Sequence, residues 1–290
     1  MASLSMIRQL GVLKMGLNIY GSLKFGNYIQ ALLNALNYCL NDGIKELSFE
    51  QISFDGRLLL NKSKIYIDVD LEKDNSQEIF LNIQDCFSNR FPNKKATSFP
   101  TTGKKRNLFK KYIGPIFDIN FNQQDHFLND PKKLSIHIRG GDIFSISPHP
   151  SYRQPPLDYY LKIMKSYEEV FLIAQDKFNP CVNELLKLNN VHFISSDLKE
   201  DLTNLVCSQN VVLGYGTFGM IPLYCSINLK NIYFPDYFIT QESLEKNFKN
   251  YPCDINFHCL SIPDYIKKGE WQNTEEQRSF MLNYRLPYQI

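Results

Sequence analysis

Arg139, Gly140, Gly141 and Asp142 follow directly on Leu134-Ser135-Ile136-His137-Ile138, a run that alternates apolar and small polar residues as a strand does. A guanidinium stays charged at any working pH, and its planar fork takes two phosphate oxygens at once. Glycine backbone lets an anion come close. At the carboxyl edge of a sheet, where open α/β folds bind their ligands, this grouping would hold a phosphate. The plainer alternative is a buried Arg139–Asp142 pair that closes a turn, and spacing alone leaves both open.

Three other stretches carry similar chemistry. Gln175-Asp176 and Ser195-Ser196-Asp197 offer the carboxylates and hydroxyls that hold a ribose or a base. Gly214-Tyr215-Gly216-Thr217-Phe218-Gly219 leads toward a helix, so its amides and the Thr217 hydroxyl can cradle a diphosphate. The chain has neither a Walker A sequence nor G-x-G-x-x-G, which argues against ATP hydrolysis and ordinary NAD binding. One arginine, a glycine-flanked threonine and several acids suit a nucleotide with a diphosphate leaving group, hence glycosyl transfer. The acceptor hydroxyl needs a base, and Asp142 and His149 are the candidates, a histidine titrating near neutrality. His137, inside the strand, is expected to orient backbone or Asp142. Tyr152 and Arg153 are within reach of sugar or phosphate. Asp68-Val69-Asp70 ends another short strand, and such a D-x-D can hold a divalent ion on a sugar nucleotide. An edge strand with outward acids explains it as well.

Those loops need strands and helices to hold them. After Pro131, strands at 134–138, 170–174, 191–194, 211–213 and 231–234 alternate with helices at 155–166, 179–188, 198–207 and 220–227, the pattern of a parallel sheet covered by helices. Its strand-to-helix loops all leave on one edge. Ahead of it, 16–20 reads as a strand and 27–40 as a helix, with Asn27 as its cap and Asn41-Asp42-Gly43 as its stop. Short strands follow at 46–49, 57–60 and 64–69. The basic run Lys104-Lys105-Arg106 reads as solvated surface that can meet an anionic acceptor. A junction is expected at Asp130-Pro131, giving an acceptor-side domain 1–130 and a nucleotide-sugar-binding domain 131–290. A last helix at 274–284 is expected to pack back on the first domain.

Lysine and arginine total 32 against 30 acids, a formal charge of +2 that argues against a nucleic-acid partner. Seven cysteines without C-x-x-C spacing read as reduced, buried thiols. No run approaches the ~20 apolar residues a membrane span needs, so the expectation is a soluble, cytoplasmic protein.

His137-Ile138-Arg139-Gly140-Gly141-Asp142 resembles the H-x-R-R/x-G-D motif of the superfamily of α1,2-, α1,6- and protein O-fucosyltransferases. Gly216-Thr217-Phe218-Gly219 is similar to its later S-S/T-F motif and Phe25-Gly26-Asn27 to its G-N-Q loop, in the same order. The resemblance implies a GT-B fold of two Rossmann-like domains facing a cleft and an inverting, metal-independent transfer with no cofactor beyond the donor. It further implies that Arg139 contacts the diphosphate with His137, Gly140 and Gly141 around it, and that Thr217 and Phe218 line its far side. Asp176 or Asp197 then binds the guanosine end, while Gly26, Asn27 and Arg153 face a glycan or lipid-linked glycan acceptor. Gly140 departs from the pattern, since many members carry a second arginine there. The resemblance implies GDP-fucose as donor, whereas this departure leaves another GDP-sugar, or a UDP-sugar such as UDP-xylose, as the alternative. A metal-dependent GT-A enzyme using Asp68 and Asp70, or a non-enzymatic glycan- or nucleotide-binding protein, are the rival readings.

Overall fold

A computed structural model of the chain describes residues 16–20, 25–49, 53–54, 57–58, 64–68, 79–92, 99–117, 124–238 and 255–287. The chain divides into two units, Met1–Asp118 and Ile119–Ile290. Each is mixed α/β, the first with both parallel and antiparallel strand pairs and the second with parallel ones.

In the first unit, β1 (Gly16–Tyr20) leads to α1 (Phe25–Asp42) and β2 (Glu46–Phe49). Then come the two-residue pieces β3 (Ser53–Phe54) and β4 (Arg57–Leu58), β5 (Lys64–Tyr66), β6 (Ile79–Asn82) and α2 (Ile83–Phe87). α3 (Thr102–Leu108), a π-helical turn (Phe109–Ile113) and α4 (Gly114–Phe117) follow. Four strands form a sheet in the order β5-β2-β1-β6. β1 is parallel to both neighbours and β5 antiparallel to β2. The three-and-four spacing of Ile29, Leu32, Leu33, Leu36 and Cys39 puts a fully buried stripe on α1. The helix ends at Gly43, where Ile44 N–H reaches back to Cys39 O at 2.9 Å. It begins at Phe25, whose ring is buried, so Asn27 lies in the first turn and is not the cap the sequence suggested.

The basic run is not the solvated surface it resembles. It lies in α3, where Arg106 is 2% exposed and Lys105 Nζ donates to Gln30 Oε1 at 2.9 Å. Burial pushes the Lys105 ammonium down to about 8.

The second unit runs β7 (Lys133–His137), a 3₁₀ turn (Gly141–Phe144), α5 (Leu157–Met164), β8 (Glu169–Ile173), α6 (Pro180–Leu185) and β9 (Val191–Phe193). It continues through α7 (Leu198–Cys207), β10 (Asn210–Val212), α8 (Ile221–Cys225), β11 (Asn231–Pro235), β12 (Asn256–Leu260) and α9 (Glu275–Asn283). Six strands lie in the order β12-β11-β10-β7-β8-β9, every described pair parallel. The chain starts in the middle at β7, works outward through β8 to β9, then returns to pair β10 on the other side of β7. This reversal is a topological switch point, and the loops after β7 and β10 part there.

One core joins Leu134, Ile136, Tyr159, Tyr160, Leu172 and Val182 to the carboxy-terminal residues Trp271 and Met281. Trp271, Tyr159, Tyr160 and Phe234 of this unit are among the largest fully buried side chains. Segment 124–130 is held to this unit, Gln209 N–H donating to Leu128 O at 3.3 Å and Gln209 Nε2 to Asn129 Oδ1 at 2.9 Å. That is why the division falls before the Asp130-Pro131 junction expected from composition. α9, capped by Thr274, packs on α5 and α6 of its own unit, and Lys162 Nζ ties down Leu286 O at 2.9 Å. Met281 is buried in the core of this second unit.

β6 and β12 escaped the sequence pattern because both are partly exposed without two-fold alternation, Phe80 standing 64% exposed. Cys39, Cys86, Cys181, Cys207 and Cys225 are buried and Cys259 is half-buried. Val69, Asp70, Cys253 and the loop 21–24 lie outside the described residues. Among the described residues no helix is long and apolar enough to cross a membrane.

Candidate functional site

β7 is the central strand, and its last ladder bond, Ile138 N–H to Ile173 O at 3.0 Å, releases the chain at Arg139. The guanidinium stays at the sheet edge. Its side chain is 20% exposed, Nη1 donates to Tyr215 O at 3.4 Å, and the group lies 4.3 Å above the Tyr152 ring. The first contact spans the switch point, joining the loop after β7 to the loop after β10. Gly216 makes that approach feasible. Its φ is +129°, and a Cβ there would lie 2.6 Å from Arg139 Nη1. Asp142 Oδ1 stands 3.3 Å from Arg139 Nη2 with its own side chain 51% exposed. The pair is long and wet, so it is not the buried Arg–Asp clasp that was the alternative.

His137 is 8% exposed and packs on the Phe218 ring at 5.1 Å. Its Nδ1 is buried without a hydrogen-bond partner, walled by Gly214 and Gly219, where an added Cβ would meet it at 2.0 and 3.0 Å. Burial, helped by the nearby Arg139 charge, lowers its pKa to about 4. It is thus a neutral ring that shapes the loop after β10. Among the described residues no hydrogen bond joins it to Asp142, one of the two partners expected for it.

The Gly216-Thr217-Phe218-Gly219 loop is a run of turns: Met220 N–H meets Thr217 O at 3.3 Å and Ile221 N–H meets Phe218 O at 3.0 Å. The helix after it has five residues with Pro222 near its start. So short a helix adds little macrodipole, and any anion held here depends on the turn's own amides and on Arg139.

The loop after β8 serves the loop after β7. Asp176 accepts from Gly141 N–H at 2.7 Å and Phe178 N–H at 2.9 Å. The loop after β9 is turned on itself. Ser195 Oγ donates to Asp201 Oδ2 at 2.7 Å, Ser196 N–H to Asp201 Oδ1 at 3.1 Å, and the Ser196 hydroxyl to Glu200. Asp197 caps α7 through Glu200 N–H at 2.9 Å. Asp201 was missed by sequence reading, and its signal was its place one turn beyond the Asp197 cap.

His149 Nδ1 accepts from Ser151 N–H at 3.2 Å. A backbone amide can only donate, so the neutral ring carries its proton on Nε2 and presents no free lone pair there. Arg153 lies 3.6 Å above the Tyr237 ring and donates to Ile266 O. Tyr152 links His149, Arg139 and Tyr215, and Tyr215 meets Phe238 at 4.9 Å. Of these rings, Tyr237 and Phe238 lie beyond any motif. Gly26 and Asn27 belong to α1 of the first unit. Asp68 pairs with Lys111 Nζ at 3.0 Å on the surface. Among the described residues no three His, Cys, Asp or Glu side chains gather as metal ligands.

No family model matches the chain, and no curated protein matches it. Two solved structures of POFUT1 in complex with GDP are similar to it. The first, a high-resolution dataset, is 10% identical, covering 87% of this chain and 99% of that one at a TM-score of 0.37. The other, crystal form III, is 9% identical, covering 87% and 100% at a TM-score of 0.40.

Proposed function

We propose that the chain is a glycosyltransferase that moves a sugar from a nucleoside diphosphate donor to a glycan or lipid-linked glycan acceptor. The observation that carries this reading is Arg139: a partly exposed guanidinium at the switch point of a parallel sheet, buttressed by Tyr152 and Tyr215 O and flanked by glycine turns. As the sugar departs, negative charge builds on the diphosphate, and a preorganised guanidinium stabilises it without a metal. The amides of Gly216–Gly219 are the second source of that stabilisation. Asp142, exposed beside Arg139, is the base in this scheme, because the His149 lone pair at Nδ1 is already engaged. Inversion at the anomeric carbon follows from a single displacement by the acceptor hydroxyl. The H-x-R-x-G-D resemblance selects GDP-fucose among donors.

The test combines binding with turnover. GDP-, UDP- and CMP-sugars are screened for their effect on thermal unfolding, since a ligand bound only by the native state raises stability. A GDP-sugar is expected to shift the transition, and Arg139→Ala is expected to lose the shift and at least about 100-fold in kcat/KM while unfolding as cooperatively as the parent. Full turnover by Arg139→Ala, or no shift with any nucleotide sugar, overturns the reading.

A further inference from the structure

We infer that Asp176 is a positioning residue for Arg139, and that its carboxylate and a side chain at residue 140 exclude one another. Gly140 has φ −120°, so the left-handed region that favours glycine does not explain its presence there. Space does. A Cβ at residue 140 would lie 2.2 Å from Asp176 Oδ1, 2.8 Å from its Cγ and 3.0 Å from Oδ2. The carboxylate is not a flexible end that can retreat, because Oδ2 holds Gly141 N–H at 2.7 Å and Oδ1 holds Phe178 N–H at 2.9 Å. The same loop grips the other side of residue 140, where Asn179 Nδ2 donates to Arg139 O at 3.3 Å. Asn179 is itself fully buried, its Oδ1 accepting from Cys181 N–H at 3.0 Å.

The peptide frame that carries the guanidinium is therefore clamped before and after Gly140 by one segment, 176–179. Charge follows from the same geometry: an acid fills the space a cation at 140 would need, so Arg139 stands alone as the cation of this turn. The ligand class is a diphosphate, and the positioning role rests on the function proposed above for Arg139.

Calorimetric titration of the full chain with GDP and, separately, with inorganic pyrophosphate tests it. Asp176→Ala is expected to weaken both ligands by a similar factor of about ten, and to add nothing in an Arg139→Ala background, since the two residues act as one unit. Loss with GDP alone means that Asp176 touches the nucleoside directly, and additive losses mean that it acts apart from Arg139. Either result overturns the positioning role. Should Asp176→Ala fail to fold, Asp176→Asn, which keeps one of the two acceptors, takes its place with the same outcomes. Parent protein that binds neither ligand removes the diphosphate reading and the positioning role with it. The exclusion is then judged by stability alone. Gly140→Ala is expected to lower Tm by about 5 °C or more in the parent and to be nearly neutral in an Asp176→Gly background. An equal loss in both backgrounds overturns it.

Discussion

His137 and Arg139, two residues apart on one strand end, are driven to opposite electrostatic fates by burial. The guanidinium, charged at any working pH, stays at the rim with a carbonyl and a ring beside it. The imidazole, buried against Phe218, Gly214 and Gly219, is held neutral down to about pH 4. An unfolded chain protonates that ring near 6.5. Below 6.5 the unfolded state therefore binds the extra proton, and stability conferred by the neutral ring is lost as pH falls toward about 4. Urea unfolding at pH 7.5 and 5.0 is expected to show this directly, His137→Phe losing about 2 kcal/mol less than the parent between the two. Identical pH dependence in parent and variant would contradict a neutral buried imidazole. The identities of these residues were legible from sequence. Their roles were not, since the H-x-R spacing places His137 next to a ligand as readily as behind it.

At the scale of the element, the far end of the second sheet is pinned by an asparagine ladder. Asn210, Asn231 and Asn256 stand in register on β10, β11 and β12. Asn231 Nδ2 donates to Asn210 Oδ1 at 2.7 Å and Asn256 Nδ2 to Asn231 Oδ1 at 3.1 Å, while Asn210 Nδ2 reaches Lys133 O at 2.8 Å. Ladders of this kind set the register of parallel strands, and the register sets where the loops at the opposite sheet edge emerge. Asn231→Leu is expected to cost about 1–3 kcal/mol in urea unfolding by leaving partners unsatisfied, with GDP affinity within about twofold of the parent. A larger fall in affinity than in stability would place Asn231 nearer the site than its strand end does. Sequence showed β11 clearly and β12 not at all. An apolar buried strand announces itself, whereas an edge strand whose residues are all partly exposed carries no period to read.

At the scale of the whole molecule, the carboxy-terminal segment completes the second unit beside its candidate site. Trp271 is fully buried, its Nε1 donating to Ile143 O at 2.8 Å and its ring meeting Phe144 edge-on at 5.5 Å. It thus braces the 3₁₀ turn that follows Arg139. Trp271→Phe is expected to cost about 1–3 kcal/mol and to speed hydrogen exchange in 141–145 more than in β11. As the chain has one tryptophan, its fluorescence in the parent reports on this turn, and GDP is expected to change it. No change in exchange around 141–145 would mean that the indole is packed there without bracing the turn.

Sequence alone determined the alternation of strands and helices, the buried thiols, the last helix and the residues around Arg139. These are local properties, written in periodicity and in turn chemistry over a few residues. Tertiary structure decided the strand order that makes β7 and β10 flank a switch point, and the contact by which Asp176 fills the space beside Gly140 from a position 35 residues away from its Gly141 partner. Both depend on which distant segments pair, and pairing is a balance of burial across the whole sheet that no short window of residues contains.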